Sequence, residues 1–158
     1  MPSLHDCLLK RSIADEREMA HVLKIYKEKL LIDDAEVPVP TGELSLKVLT
    51  TLSHVNGFGD VYGGWVVSQM DLAGSLHAAK IARGRVATVS IEKMAFVLPV
   101  LVGSSLEFFT RVEHIGRSSM RINVEVWSCA LGESQLRKVT EACFTFVAIS
   151  NTGKTRAI

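Results

Sequence analysis

The stretch that decides the fold is residues 53–83, which read SHVNGFGDVYGG and then WVVSQMDLAGSLHAAKIAR. Its first part, residues 53–64, holds four glycines and is expected to form a loop. Its second part, residues 65–83, places apolar side chains on nearly every side of a helix and leaves a narrow polar stripe of Ser68, Asp71 and Ser75. Because a helix that is apolar all round has to be buried, this part predicts a long buried helix capped by Gly84.

Five segments around this helix have the β-branched and aromatic composition of strands, some with period-2 alternation. They lie at residues 44–50, 86–96, 106–114, 120–129 and 138–149. One strand before the helix and hairpin-joined strands after it indicate an α+β fold with an antiparallel sheet. We therefore predict about five or six strands wrapped round a long central helix, which is the hot-dog fold.

The first forty residues are expected to form a separate arm. Residues 13–32 have the spacing of an amphipathic helix, and the two prolines within residues 37–40 predict a stiff, extended linker. Residues 1–40 carry six Lys or Arg against eight Asp or Glu, so the arm is slightly acidic. The expected organisation is a helical arm with its linker over residues 1–40 and the hot-dog domain over residues 41–158.

The composition excludes several classes of function. The chain has 158 residues, 47% of them hydrophobic, and its formal net charge of +1 gives no basic face for nucleic acid. No apolar run approaches the roughly eighteen residues of a membrane span, and the three cysteines form no CxxC pair. These features predict a cytoplasmic protein with reduced thiols and with neither nucleic-acid nor membrane partners. The five histidines lack metal-ligand spacing, so no metal or other cofactor is expected.

The chemistry is expected in residues 59–65, where Asp60 precedes a Gly-Gly pair that opens the buried helix. Free N–H groups at a helix start point outward and carry a partial positive charge. Glycines there let a carbonyl group approach closely, so the corner can hold the oxyanion that forms when a thioester is attacked. The carboxylate can act as a general base on water or attack directly as a nucleophile. On spacing alone, an Asp before Gly-Gly is more often turn chemistry or a helix cap.

Several motifs lie in register along residues 42–158. The most specific one runs from Gly59 to Asp71, and the others are Gly42-Glu43-Leu44, Asn56, Gly84-Arg85-Val86, Glu92, Met94, Phe96, Pro99-Val100, Val102-Gly103, Glu125-Val126-Trp127 and Thr140-Glu141-Ala142. Together they resemble the short bacterial acyl-CoA thioesterases of the YciA type, in the hot-dog superfamily.

The resemblance implies hydrolysis of fatty acyl-CoA to free fatty acid and CoA. It implies that Asp60 is the catalytic carboxylate and that the amide of Gly64, with Gly63 as its candidate partner, is the oxyanion donor. Asn56 is expected to bond either the thioester or the loop backbone, and the second role is the commoner one in a Gly-rich turn. The resemblance also implies active sites between two subunits, hence a homodimer, commonly arranged as a trimer of dimers.

Four positions depart from the family pattern. Tyr62 replaces a more usual Phe, Arg83 replaces a common His, and Ser104 stands where Asp is frequent. Phe58 stands where the family has Asn, directly beside the catalytic loop. That last change is expected to alter either substrate entry or the geometry of the loop.

Further substrate contacts are expected along the helix and at cationic positions. Because CoA carries phosphates, cations should line its path, and the candidates are Arg85, Arg117 and Lys138. The helix flank is expected to form part of the acyl tunnel through Met70, Leu72 and Leu76, with Trp65 and Gln69 as further substrate-binding residues. Gln69 and Ser68 either orient the attacking water or serve a subunit interface.

Three alternatives stay open. Asp71 lies inside the helix and is a rival carboxylate, although a polar contact at a subunit interface is the favoured interpretation. His54 paired with a helical acid would indicate a hydratase, but its spacing to Asp71 does not favour one. The main alternative to an enzyme is a non-catalytic acyl-CoA sensor of the same fold. The acidic arm and the retention of Asp60 argue against this alternative.

Overall fold

The structure, a computed structural model, describes residues 38–158. Residues 39–158 form one compact unit. The predicted helix over residues 13–32 and most of the predicted arm lie outside the described residues, so the arm remains a prediction.

The described domain consists of one long helix and one antiparallel sheet. Its elements are β1 (Glu43–Leu49), a short 3-10 helix (Leu52–His54), α1 (Gly63–Ala82), β2 (Val86–Ile91), β3 (Ser105–Ile115), β4 (Ser119–Cys129) and β5 (Arg137–Ala148). The strands lie in the order β1-β3-β4-β5-β2, and all neighbours are antiparallel. This arrangement confirms the α+β prediction and makes β1 and β2 the two edges of the sheet.

The core lies between α1 and one face of the sheet. Alternate residues of β3, β4 and β5 are buried there, as the period of two in a strand requires. Gly74 sets how closely the helix approaches, because a Cβ atom at this position would stand 2.8 Å from Cζ of Phe146 and 3.3 Å from a methyl carbon of Val124. The middle of α1 is thereby packed closely against the sheet.

The start of the helix and the end of β2 differ from the sequence predictions. The helix begins at Gly63 rather than at residue 65, and β2 ends at Ile91 rather than at residue 96. Beyond Ile91 the chain keeps single hydrogen bonds to β5, from Glu92 N–H and Val97 N–H, while it turns to place Phe96 against Gly63. That long-range contact shortens the strand, and the local sequence pattern does not predict the contact.

The end of α1 also differs from the prediction. Arg83, not Gly84, adopts the left-handed conformation, with φ of 48°, and donates its N–H to Ala79 O. A Cβ atom on Gly84 would stand 2.8 Å from Nη2 of Arg156, whose guanidinium donates to Ala82 O. Glycine is needed at position 84 for this close approach and not for a positive φ.

The helix is not buried on all sides within one chain. Val66, Met70, Gly74 and other residues of that stripe are buried, whereas Leu72 and Leu76 on another side are exposed. Among residues 38–158, no helix combines the length and the apolar character needed to cross a membrane.

We expect Gly74→Ala to destabilise the domain by about 1 kcal/mol or more. Because a Cβ atom would stand only 2.8 Å from Cζ of Phe146, overpacking should cost about 2–3 kcal/mol, more than the roughly 1 kcal/mol that alanine gains in helix propensity. Gly57→Ala is the matched control, because a Cβ atom there meets nothing within 4 Å. Equal urea midpoints for the two variants would contradict the close approach described here.

Candidate functional site

The loop before α1 is closed on itself by backbone hydrogen bonds. Val55 and Val61 form an isolated antiparallel bridge. Asn56 N–H donates to Asp60 O at 2.8 Å, and Gly59 N–H donates to Asn56 O at 3.1 Å. Gly59 has φ of +91°, a conformation that favours glycine. The loop therefore presents residues 57–60 in one tight turn.

The side chain of Asn56 holds this turn from within. Its Oδ1 accepts the N–H of Phe58 at 2.9 Å and the N–H of Asp60 at 3.1 Å. The structure thus places Asn56 on the loop backbone, in the manner of an Asx-turn. The phenyl ring of Phe58 stands at the tip and is 94% exposed.

The loop is fastened to the rest of the domain on both sides. Val61 N–H donates to Val100 O at 3.4 Å, and Tyr62 N–H donates to His54 O at 2.9 Å. The His54 ring stacks on Trp65 with centroids 4.0 Å apart, and its Nδ1 accepts Thr51 N–H at 3.2 Å. His54 is therefore engaged in holding the start of α1, which leaves little support for a hydratase role.

The first amides of α1 are free. Tyr62 precedes the helix and its side chain makes no capping bond, while its carbonyl oxygen accepts both Trp65 N–H and Val66 N–H. Within residues 38–158, the N–H groups of Gly63 and Gly64 have no hydrogen-bond acceptor. Gly64 is exposed, and a Cβ atom on it would meet nothing within 4 Å.

One wall of this corner comes from a contact that the sequence did not predict. A Cβ atom on Gly63 would lie 3.3 Å from Cε2 of Phe96. The sequence motifs include Phe96, but only the fold shows that its ring packs beside Gly63 at the start of α1.

Asp60 is exposed and lies four residues before Gly64. Within residues 38–158, its carboxylate accepts no hydrogen bond and forms no ion pair. A carboxylate near a helix start is stabilised by the partial positive charge there. Along the chain, the loop thus places an unpaired carboxylate a few residues before two free amides and the half-buried Trp65.

The polar residues farther along α1 have local partners. Ser68 Oγ donates to Trp65 O at 2.6 Å, and Gln69 Nε2 donates to Ser68 Oγ at 3.3 Å. Asp71 accepts a hydrogen bond from the Thr88 hydroxyl and so ties α1 to β2. Met70 is 0% exposed and packs in the core, so within one chain it reaches no substrate surface.

The three predicted cations lie in different surroundings. Lys138 is paired with Glu125 at 3.5 Å and with Glu141 at 3.1 Å. Arg85 donates to the carbonyl oxygens of the 150–151 turn, at 3.0 Å to Asn151 O. Arg117 is exposed and its side chain makes no hydrogen bond within residues 38–158.

The most deeply buried carboxylate of the described residues is Glu125, on β4. Burial by itself would raise its pKa, but hydrogen bonds from Thr41 and Trp127 and the charge of Lys138 together lower the pKa below its usual range. Val124 and Val126 on either side face the core, so Glu125 lies on the face of the sheet away from α1. Its role there is structural, because it anchors the segment before β1 to the sheet.

Comparison with known proteins identifies the family. Residues 58–130 match the Thioesterase superfamily. The chain is 42% identical over 123 residues to the acyl-CoA thioester hydrolase YciA of Escherichia coli (strain K12), across 76% of this chain and 93% of that protein. This chain belongs to the thioesterase superfamily.

Solved structures of superfamily members share its fold. The hexameric thioesterase y2039 from Yersinia pestis matches with a TM-score of 0.73 and 42% identity, over 76% of this chain and 98% of that one. HI0827, a hexameric broad specificity acyl-coenzyme A thioesterase, matches with a TM-score of 0.72 and 41% identity, over 77% of this chain and 84% of that one. The predicted YciA-type resemblance and the hot-dog fold are confirmed.

We expect Asn56→Ala to loosen the turn that carries Asp60 in this superfamily member. The amides of Phe58 and Asp60 lose their shared acceptor, at a cost of about 1–2 kcal/mol of local stability. Hydrogen exchange at these two amides should accelerate by about tenfold. Asn56→Asp keeps an acceptor oxygen and should leave exchange nearly unchanged; equal rates in both variants would show that the side chain does not hold the turn.

Proposed function

We propose that this chain is an acyl-CoA thioester hydrolase that uses water to release a fatty acid and CoA. The observation that supports the proposal is the uncapped start of α1, where the amides of Gly63 and Gly64 are free, with the unpaired carboxylate of Asp60 four residues before Gly64 in the chain. Its relatives support the same activity, since E. coli YciA is named an acyl-CoA thioester hydrolase. One of the HI0827 structures is of an aspartate-to-alanine mutant enzyme.

In the proposed reaction, the thioester carbonyl oxygen accepts hydrogen bonds from the Gly64 amide and, as a second donor, the Gly63 amide. Attack at the carbonyl carbon moves negative charge onto this oxygen, where the free N–H groups stabilise it. Asp60 either takes the proton of the attacking water or attacks the carbonyl itself, giving a mixed anhydride that water then opens. In both routes CoA leaves as its thiolate, and the reaction needs no metal or cofactor.

The exposed face of α1 is the proposed path of the acyl chain. Leu72 and Leu76 are exposed on the helix, roughly two to three and a half turns beyond the free amides. Met70 is buried in the core, so these two leucines carry the tunnel-lining role proposed for this flank. Trp65 and Gln69 are half-buried on the first turns and are the proposed contacts nearest the thioester.

The proposed working unit is a homodimer, in a trimer of dimers, in the cytoplasm. The outer side of the edge strand β2 is unpaired within the described chain, and its Val89 and Ile91 side chains are exposed. An edge strand with apolar side chains favours pairing with another strand. Antiparallel pairing of two copies of β2 would cover these residues and place the exposed leucines of α1 at the junction of the subunits. y2039 and HI0827 are hexameric, which supports assembly of this chain as well.

We expect Asp60→Asn to lower kcat about a hundredfold or more for every acyl-CoA that the wild type hydrolyses, because the amide cannot act as a base or nucleophile. Thiol release from acetyl- to palmitoyl-CoA measures this loss. A single turnover in isotopically labelled water tests for one form of the anhydride route, since label in the Asp60 carboxylate shows that water opened an anhydride at the aspartyl carbonyl. Unchanged turnover in Asp60→Asn would remove the proposed mechanism.

We expect opposite results for two substitutions at Gly64. Gly64→Ala keeps the N–H and adds a methyl group in open space, so kcat should change by less than about threefold. Gly64→Pro removes the N–H, and kcat should fall by about a hundredfold. Proline is tolerated in the first helical turn, and Gly63 has no Cβ for its ring to meet. Equal kcat values in two variants with the wild-type melting temperature would show that this amide is not the oxyanion donor.

A further inference from the structure

Phe96 and Thr140 belong to the motifs of the sequence, yet neither has a part in the proposed reaction. The structure joins the two residues through the backbone. The Thr140 hydroxyl donates to Ala95 O at 2.9 Å, and Val97 N–H donates to Val139 O at 2.8 Å. β5 therefore holds the chain by one hydrogen bond on each side of Phe96. Since β5 lies inside the sheet, between β4 and β2, these bonds fix the backbone of Phe96 to a rigid frame.

The ring of Phe96 occupies the space where a side chain on Gly63 would stand. A Cβ atom added to Gly63 would lie 3.3 Å from Cε2 and 3.4 Å from Cζ of the ring. Gly63 does not have a positive φ, so its backbone conformation alone does not call for glycine. The contact with Phe96 therefore explains why position 63 is a glycine.

The first turn of α1 depends on such contacts from outside the helix. A helix start without a cap frays easily, because its first N–H groups have no partners within the helix. The Tyr62 side chain makes no capping bond, so packing has to hold the turn. The His54 ring stacks on Trp65, and the Phe96 ring packs beside Gly63. Phe96 therefore limits the movement of one of the two amides that are proposed to stabilise the oxyanion.

We propose that Phe96 and Thr140 are positioning residues for the Gly63 amide. The Thr140 hydroxyl fixes the chain at Ala95, and the Phe96 ring then fixes the first turn of α1. Oxyanion donors stabilise the transition state only when they are preorganised, and a displacement of about 1 Å can cost about a hundredfold in rate. This inference rests on the proposed hydrolase function, in which the Gly63 amide is a donor.

Three substitutions on β5 test the role of Thr140. Thr140→Val removes the hydroxyl, and we expect kcat for acyl-CoA to fall about fivefold or more, with KM within about twofold of wild type. Thr140→Ser keeps the donor and should restore most of the wild-type kcat. Thr145→Val is the matched control, because Thr145 is half-buried and its hydroxyl makes no hydrogen bond within residues 38–158. Unchanged kcat in Thr140→Val, or an equal loss in Thr145→Val, overturns the proposal.

A double-mutant cycle tests the contact between Phe96 and Gly63. Gly63→Ala presses a methyl group against the ring and should lower kcat about tenfold, and Phe96→Ala should lower it by a similar factor because the turn is no longer held. In the double variant the methyl group has room, so the loss should not exceed that of Phe96→Ala alone. Losses that multiply would show that the two residues act independently, contrary to the proposal.

An NMR measurement without substrate separates this inference from the proposed function. One Hα atom of Gly63 points at the Phe96 ring, since it stands where the bond to a Cβ atom would be, so its resonance carries the ring current. We expect this resonance to move in Thr140→Val and to stay in Thr140→Ser and Thr145→Val. An unmoved resonance in Thr140→Val overturns the positioning role. A wild type that shows these shifts yet releases no thiol from acyl-CoA would refute the hydrolase function and leave the link from Thr140 to Gly63 standing.

Discussion

The free amides at the start of α1 are the constraint on which the rest of the site depends. A side-chain cap at position 62 would stabilise the helix by about 1 kcal/mol, but it would occupy an N–H group that the proposed chemistry needs. The Tyr62 side chain supplies no cap, and its carbonyl oxygen accepts the N–H groups of Trp65 and Val66 instead. Because Gly63 and Gly64 lie at the surface, their unpaired amides can bond water and cost little. The helix start is therefore held by its surroundings: the His54–Trp65 stack, the Asn56 turn and the fixed distance at Gly74.

The fold could be predicted from local sequence because its elements have strong and distinct patterns. The strands are rich in β-branched residues, and the helix follows a Gly-rich loop. The errors came where a distant contact decides the conformation. β2 ends early because Phe96 packs on Gly63, and position 84 is a glycine because Arg156 reaches past it. Both contacts join residues that are far apart in the sequence, so local periodicity could not predict them.

The Gly-rich loop and the helix that follows it could be located from the sequence, but the surroundings of each residue along α1 could not be predicted. Apolar residues on every side of a helix predict burial, yet here they form two stripes with different surroundings. Val66, Met70 and Gly74 repeat every four residues and face the sheet, whereas Leu72 and Leu76 face outward. The spacing could have separated the two stripes, but which of them meets the sheet depends on the fold. The sequence therefore predicts the same tunnel-lining role for Met70, Leu72 and Leu76, although Met70 belongs to the core.

The two ends of α1 carry charges of the sign that its macrodipole favours. Asp60 lies near the positive N-terminal end, and Arg83 and Arg156 lie at the negative C-terminal end. These charges stabilise the helix, so a substitution of Arg156 is expected to cost stability at its C-terminal end. Arg117 and Lys154 lie outside the helix, and their side chains make no hydrogen bond or ion pair among the described residues. The helix macrodipole therefore accounts for Arg83 and Arg156 but not for Arg117 or Lys154.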